Sequence, residues 1–204
     1  MAYLRYTRYP IKYTVFAYTV YLYPKGYCYM SHKTLPNFLQ EMIRVNQAGE
    51  FGAKRIYEGM IAHSSPTEKE LLTEMLDQEL KHLATFNDMM IKNKIRPTFL
   101  QPLWYLGGYA MGAVTAKIHP KVSHACTIAV EEVIEKHYQE QLDELEFYPE
   151  HADLKKIVKQ FRDEELEHRD TAVDQGGDNH PLSQPVKSVV KGITKAAIFL
   201  SKKI

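Results

Sequence analysis

From residue 36 onward, apolar positions recur three and four residues apart, the period of helices that bury one face. The pattern predicts a first helix over about 36–63, with Met42, Ile43, Phe51, Ala53 and Ile56 on its apolar side. Ser65-Pro-Thr-Glu68 reads as the start of a second: Ser65 as N-cap, Pro66 as the first helical residue, Glu68 as capping-box partner. That helix runs to about Asn93, lined by Leu72, Met75, Leu76, Leu83 and Phe86. Further helices are expected over 123–145 and about 152–175, the latter packing through Leu154, Ile157, Val158, Phe161 and Ala172, with a loop at 147–151 between them. The break at 176–185, rich in Gly and Pro, precedes a last helix over about 186–203. No convincing strand pattern occurs beyond residue 35, so the fold class is all-α: a four-helix bundle with a crossover helix and a C-terminal amphipathic helix.

Two stretches depart from that regularity. Residues 97–116 hold no charged side chain. Their length approaches that of a bilayer span, but Gln101, Pro102 and the Gly107-Gly108 pair argue against a clean spanning helix. They read as a short apolar helix crossing over the bundle and dipping into lipid, with Trp104 and its tyrosine neighbours at the headgroup boundary; a buried crossover is the alternative. Residues 1–34 carry nine tyrosines and no acidic residue. They resemble neither a transit peptide nor a secretory signal. Thr14–Tyr21 is strand-like by propensity but has no obvious partner, and the segment is expected to be a poorly ordered extension preceding a domain at 35–204.

Composition narrows the chemistry. A net charge of +1 gives no case for nucleic acid as a partner. Cys28 and Cys126 form no Cys-x-x-Cys pair. In the last helix Lys187, Lys191 and Lys195 form one stripe, with Val189, Val190, Ile193, Ala197 and Leu200 opposite. Such a helix either lies on an anionic membrane surface or packs on the bundle with its lysines in water.

The candidate chemistry lies in four helices. Met75-Leu-Asp-Gln-Glu-Leu-Lys-His82 and Phe161-Arg-Asp-Glu-Glu-Leu-Glu-His168 each place a Glu and a His three residues apart: Glu79 with His82, Glu165 with His168. Three residues turn a helix by about 300°, so each pair lies side by side on one face. A lone glutamate precedes each pair on a separate helix. Glu50 lies among apolar residues, with Tyr57 seven residues on, between Gly49 and Gly52. Mid-helix glycines cost about 1 kcal/mol each against Ala; close approach by another backbone or a ligand is one reason to keep them. In the later helix Glu131 is favoured over Glu132, because the face through Glu131 continues to Ile134, Tyr138 and Leu142. The order suggests a duplicated helical hairpin. Two Glu-x-x-His pairs and two lone glutamates are the donor set of di-iron carboxylate bundles. Four inward carboxylates need cations, and Glu and His without Cys favour iron or manganese.

Arg44-Val-Asn-Gln-Ala-Gly-Glu-Phe-Gly-Ala-Lys-Arg-Ile-Tyr57, Ala129-Val-Glu-Glu132 and Phe161–His168 resemble the motifs of the demethoxyubiquinone hydroxylase family, from about Leu35 to the C-terminus. The resemblance implies a ferritin-like bundle with two iron ions held by Glu50, Glu79, His82, Glu131, Glu165 and His168. It implies a monooxygenase that hydroxylates the ring of demethoxyubiquinol, a 2-methoxy-6-polyprenyl-1,4-benzoquinol, with O2, in the penultimate step of ubiquinone biosynthesis. Reducing equivalents would derive from NADH, and the protein would be peripheral to a membrane. The cytoplasmic face of a bacterial inner membrane is the first expectation, the matrix side of the mitochondrial inner membrane the second. A homo-oligomer or a ubiquinone-biosynthesis complex is a possible assembly. Substrate access is expected beside the apolar crossover and the last helix. Tyr138 and His137 are candidates for positioning the quinol or relaying electrons, with a packed tyrosine as the alternative. Asp163 is a candidate brace for a ligand histidine, with a solvated position preferred. The rivals are a catalase-like or iron-storage bundle and a metal-free, membrane-associated one.

Overall fold

A computed structural model of the chain describes residues 11–15, 18–22, 28–32 and 35–203. The chain divides into two compact units, residues 1–37 and 38–204.

In the first unit the strands β1 (Ile11–Val15), β2 (Tyr18–Leu22) and β3 (Cys28–His32) form an antiparallel sheet in the order β1-β2-β3. Ile11 pairs with Leu22 and Val15 with Tyr18; on the other edge Tyr18 pairs with His32 and Leu22 with Cys28. The strand-like stretch at 14–21 therefore has partners, contrary to expectation. Neighbouring Tyr-, Val- and Thr-rich segments fold back on one another, and β2 is bonded on both sides. The remaining residues of the expected disordered extension lie outside the described residues.

The second unit is helical, as expected. It contains α1 (Asn37–Ala62), α2 (Pro66–Asn93), α3 (Gln101–Ile118), α4 (Pro120–Leu145), α5 (Ala152–Asp174) and α6 (Ser183–Lys203). Ser65 caps α2, its hydroxyl accepting from the Glu68 N–H at 3.4 Å, and Lys94 closes the helix in the left-handed conformation. α4 begins three residues earlier than expected, because His119 serves as its N-cap and Pro120 as its first residue. A short 3-10 turn, Pro149–His151, occupies the expected loop.

α1, α2, α4 and α5 form the ferritin-like bundle. Ile56, Tyr57, Met60, Leu72, Met75, Cys126, Ala129 and Val130 meet in one buried cluster. A polar clasp links α1 to α4: Asn46 and Gln141 exchange amide hydrogen bonds of 2.8 and 2.6 Å.

The apolar α3 lies against α1 through glycine. A Cβ on Gly112 would sit 1.9 Å from the Ile56 carbonyl oxygen, and one on Gly59 2.2 Å from that of Tyr109. The close approach expected at Gly49 and Gly52 is met at Gly52, whose carbonyl oxygen would lie 2.9 Å from a Cβ on Gly108 of α3. Both glycines also line an apolar cavity, the ligand alternative. α3 is also tied by Arg55, whose guanidinium lies over the Tyr105 ring at 3.8 Å, and by Trp104, which donates to Ser201 of α6 at 3.2 Å.

The lysine stripe of α6 matches the packing alternative only in part: the helix packs on α4 and Lys195 is exposed, but the other two lysines turn to acidic partners. Lys187 is buried and paired with Asp178, and Lys191 is paired with Glu132 of α4. The outward face carries Val189, Ile193 and Phe199 instead. Acidic partners on the bundle side draw the ammonium groups inward, and the apolar residues are left facing out.

Candidate metal centre

Each of the four bundle helices delivers carboxylates to one point. Glu50 comes from α1, Glu79 and His82 from α2, Glu131 from α4, Glu165 and His168 from α5. None is more than 3% exposed. They form two overlapping quartets, Glu50, Glu79, His82 and Glu165, and Glu79, Glu131, Glu165 and His168. Within each quartet one donor atom per residue lies within 4.8 Å of the others. Glu79 and Glu165 belong to both.

His82 Nδ1 lies 3.2 Å from Glu165 Oε1 and 3.6 Å from Glu50 Oε2. His168 Nδ1 lies 3.2 Å from both Glu79 Oε1 and Glu165 Oε2. Yet both Nδ1 atoms, both oxygens of Glu79 and Oε2 of Glu165 make no well-directed hydrogen bond. Buried polar atoms are rarely left unpaired. These five point at common centres, which is the geometry of ligands, and carboxylate and imidazole are donors that iron and manganese accept.

The electrostatics agree. Burial first, then the charges of Glu165 and Glu50, pushes the Glu79 carboxyl well above the usual range. Burial, Glu165 and Glu79 do the same to Glu131. Burial alone would lower the His82 imidazole, but the adjacent carboxylates of Glu165 and Glu50 push it up to about 12. Burial would raise Glu165, and the two histidines outweigh it, bringing that carboxyl down to about 2. Four carboxylates facing two imidazoles keep their charge only if cations supply the balance.

Two tyrosines cross between halves. Tyr57 of α1 donates to Glu131 Oε1 at 3.2 Å, and Tyr138 of α4 donates to Glu50 Oε1. Burial, together with the Glu131 and Glu50 charges respectively, raises both phenols well above their ordinary value. His137 is placed differently. It contacts Gln141 at 2.8 Å and lines a groove between α4 and α6, outside the quartets. Burial, then Lys202, pushes it down to about 4.

The outer nitrogens of the two cluster histidines have partners that the sequence did not reveal. His82 Nε2 donates to Glu164 Oε2 at 2.5 Å, and His168 Nε2 donates to Gln78 Oε1 at 2.9 Å. Asp163, the residue considered there, turns outward to Lys159 and Arg162, whose hydrogen bonds hold its carboxyl below the usual value. The available signal was position: residues 78 and 164 each immediately precede a shared glutamate.

A cavity of about 730 Å³ lies between α1, α3, α4 and α6. Gly49, Gly52 and Ala53 line it from α1, and Val130 and Ile134 from α4; none of the six cluster residues is among its lining residues. Met111, Val114, Ile193 and Ala197 line its outer part.

Residues 37–201 match the model of the family described as ubiquinone biosynthesis protein COQ7. The chain belongs to the COQ7 family. Over 183 residues it is 43% identical to the mouse mitochondrial NADPH-dependent 3-demethoxyubiquinone 3-hydroxylase, covering 86% of this chain and 84% of the relative. It is 41% identical over 183 residues to the yeast mitochondrial 5-demethoxyubiquinone hydroxylase, with 82% and 78% covered. The 3-demethoxyubiquinol 3-hydroxylase of the bacterium Rhodospirillum rubrum is 40% identical over 168 residues, with 81% and 78% covered. The ferritin-like helical fold is that of COQ7, and all six carboxylate and imidazole donors lie inside the matched region.

Proposed function

We propose that this COQ7 chain is a di-iron monooxygenase that hydroxylates the ring of demethoxyubiquinol with O2, in the penultimate step of ubiquinone biosynthesis. The observation that carries this reading is the buried six-residue cluster, two of whose helices, α1 and α4, also line the apolar cavity. Glu50, Glu79, His82 and Glu165 would hold one iron, and Glu79, Glu131, Glu165 and His168 the other. The iron pair supplies the redox chemistry that lets O2 react with a ring carbon. The chain itself fixes the six donors, packs Phe161, itself against Phe86, on the His82 ring, and leaves an apolar cavity along Gly49 and Gly52 that would take the quinol. Tyr138 is placed to orient Glu50, to which it donates a hydrogen bond. A polar storage or catalase-like centre needs no apolar channel of this kind.

A polyprenyl tail must reach the cavity from lipid. Among the described residues no helix is long and apolar enough to cross a membrane. Leu106, at 68% exposure, and Phe99 belong to the α3 region, and Phe199, at 62%, with Val189 to α6; both flank the cavity. An exposed apolar patch beside a channel suits peripheral attachment with α3 and α6 facing the bilayer. The mitochondrial names of the mouse and yeast relatives favour the mitochondrial inner membrane over the bacterial one expected first. The family resemblance implies NADH as the source of electrons; the mouse relative's name specifies NADPH, so the reading is a nicotinamide-derived electron supply. The test is single-turnover oxidation: reduced, iron-loaded protein mixed with a short-tailed demethoxyquinol and labelled O2. Label in the product ring supports the reading, and unlabelled or unchanged quinol overturns it.

A further inference from the structure

Positions 78 and 164 are equivalent in the two hairpins. Each immediately precedes a shared glutamate, Glu79 or Glu165, and each reaches the histidine of the other hairpin. In both histidines Nδ1 faces the cluster, so Nε2 carries the proton it donates outward. The two devices differ in one respect. The partner of His82 is a carboxylate, at 2.5 Å; the partner of His168 is an amide, at 2.9 Å.

That difference bears on the metal. A hydrogen bond to an ionised acceptor is shorter and about twice as strong as one to a neutral acceptor. It draws the imidazole toward imidazolate and makes Nδ1 the better donor to a cation. Glu164 is also held in place, its Oε1 accepting from Gln160 Nε2 at 2.9 Å. Its side chain is 29% exposed, so water screens part of its charge, and the lower end of the range for such partners applies.

From this geometry we propose that the two metal positions are unequal: the one at Glu50 and His82, backed by Glu164, binds a divalent ion more tightly and fills before the one at Glu131 and His168, backed by Gln78. Glu164 is then a positioning residue acting through His82. The inference rests on the reading of the cluster as a two-metal site. The nearly two-fold arrangement of ligands would otherwise give two equal sites, and the Glu–Gln difference is what separates them.

The experiment is an anaerobic titration of the metal-free full chain with Co(II), followed by its visible absorption and by calorimetry. The wild type is expected to take up two ions in steps about tenfold or more apart in affinity. E164Q weakens the first step by about tenfold and brings the two together. Q78E tightens the second, and E164Q/Q78E separates them again. H168A keeps the tight step and H82A loses it, which assigns the order. Both Glu–Gln exchanges conserve shape, and unchanged thermal unfolding of the metal-free variants separates an effect on the metal from one on the fold. Two ions bound by the wild type with one affinity, or a tight step that survives E164Q, overturns the inequality and leaves the two-metal site standing. No Co(II) bound at all overturns the two-metal site, and the inequality with it.

Discussion

The hydroxyl of Tyr57 reaches across the bundle to Glu131, seven residues before Tyr138, which itself reaches back to Glu50, seven residues before Tyr57. Each half of the bundle thus orients the lone carboxylate of the other. A buried hydrogen bond to a charged acceptor contributes about 1.5–3 kcal/mol. Replacing Tyr138 by Phe is expected to destabilise the metal-free protein by about that amount, and the iron-loaded protein by less, because a cation then occupies the carboxylate. Urea unfolding of both forms measures the difference; equal losses in the two forms would separate Tyr138 from the metal centre.

Removing metal is expected to loosen the fold. The five unpartnered atoms of Glu79, His82, Glu165 and His168 recover partners only from cations. A ligand at a hundred times its dissociation constant stabilises the state that binds it by about 2.7 kcal/mol. Chelated protein should unfold at a lower temperature and recover with ferrous iron. Glu165→Ala and His168→Ala should each lower iron content and abolish hydroxylation, read by metal analysis and product chromatography. Full turnover with two irons in either variant rules out the ligand set.

The arrangement that made these residues legible in the sequence is helical period. Glu79 with His82 and Glu165 with His168 share a face because three residues nearly complete a turn. Glu131 was separable from Glu132 by the apolar side chains that continue its face, and Ser65 by its capping pattern. What escaped depends on a second element. Glu164 and Asp163 are adjacent acids on one helix, and only the position of His82 on α2 decides which of them matters. The lysines of α6 look like a membrane face until Asp178 and Glu132 are placed opposite them. The strand propensity of residues 14–21 was legible, but its partners were not, since a pairing belongs to two segments at once.

Glycine substitutions should separate packing from catalysis. A methyl on Gly112 meets the Ile56 carbonyl at 1.9 Å, backbone that cannot move aside cheaply. Gly112→Ala is expected to cost about 1–3 kcal/mol or more and to displace α3. At Gly52 a Cβ would meet no atom within 4 Å, and the residue lines the cavity beside Glu50. Gly52→Ala should leave stability unchanged or raise it by up to about 1 kcal/mol through helix propensity, while slowing hydroxylation by narrowing the cavity proposed to take the quinol. Thermal unfolding and turnover measured together check both; a stable, fully active Gly112→Ala would refute the packing argument.

The outward apolar residues of α3 and α6 give the last prediction. Leu106 and Phe199 are large, exposed and placed on the two helices that flank the cavity. Burying such a side chain contributes about 1.5–3 kcal/mol, so Leu106→Ser and Phe199→Ser should each weaken sedimentation with phospholipid vesicles by about tenfold or more. The fold should be unchanged, because neither side chain is buried in it. Lys187→Glu should behave in the opposite way: it places a carboxylate against Asp178 and lowers stability, while vesicle binding per folded molecule stays as it was. A Lys187 variant that folds normally but leaves the vesicles would return the membrane contact to the lysine stripe. Wild-type binding by the two serine variants would remove it from the α3 and α6 surface.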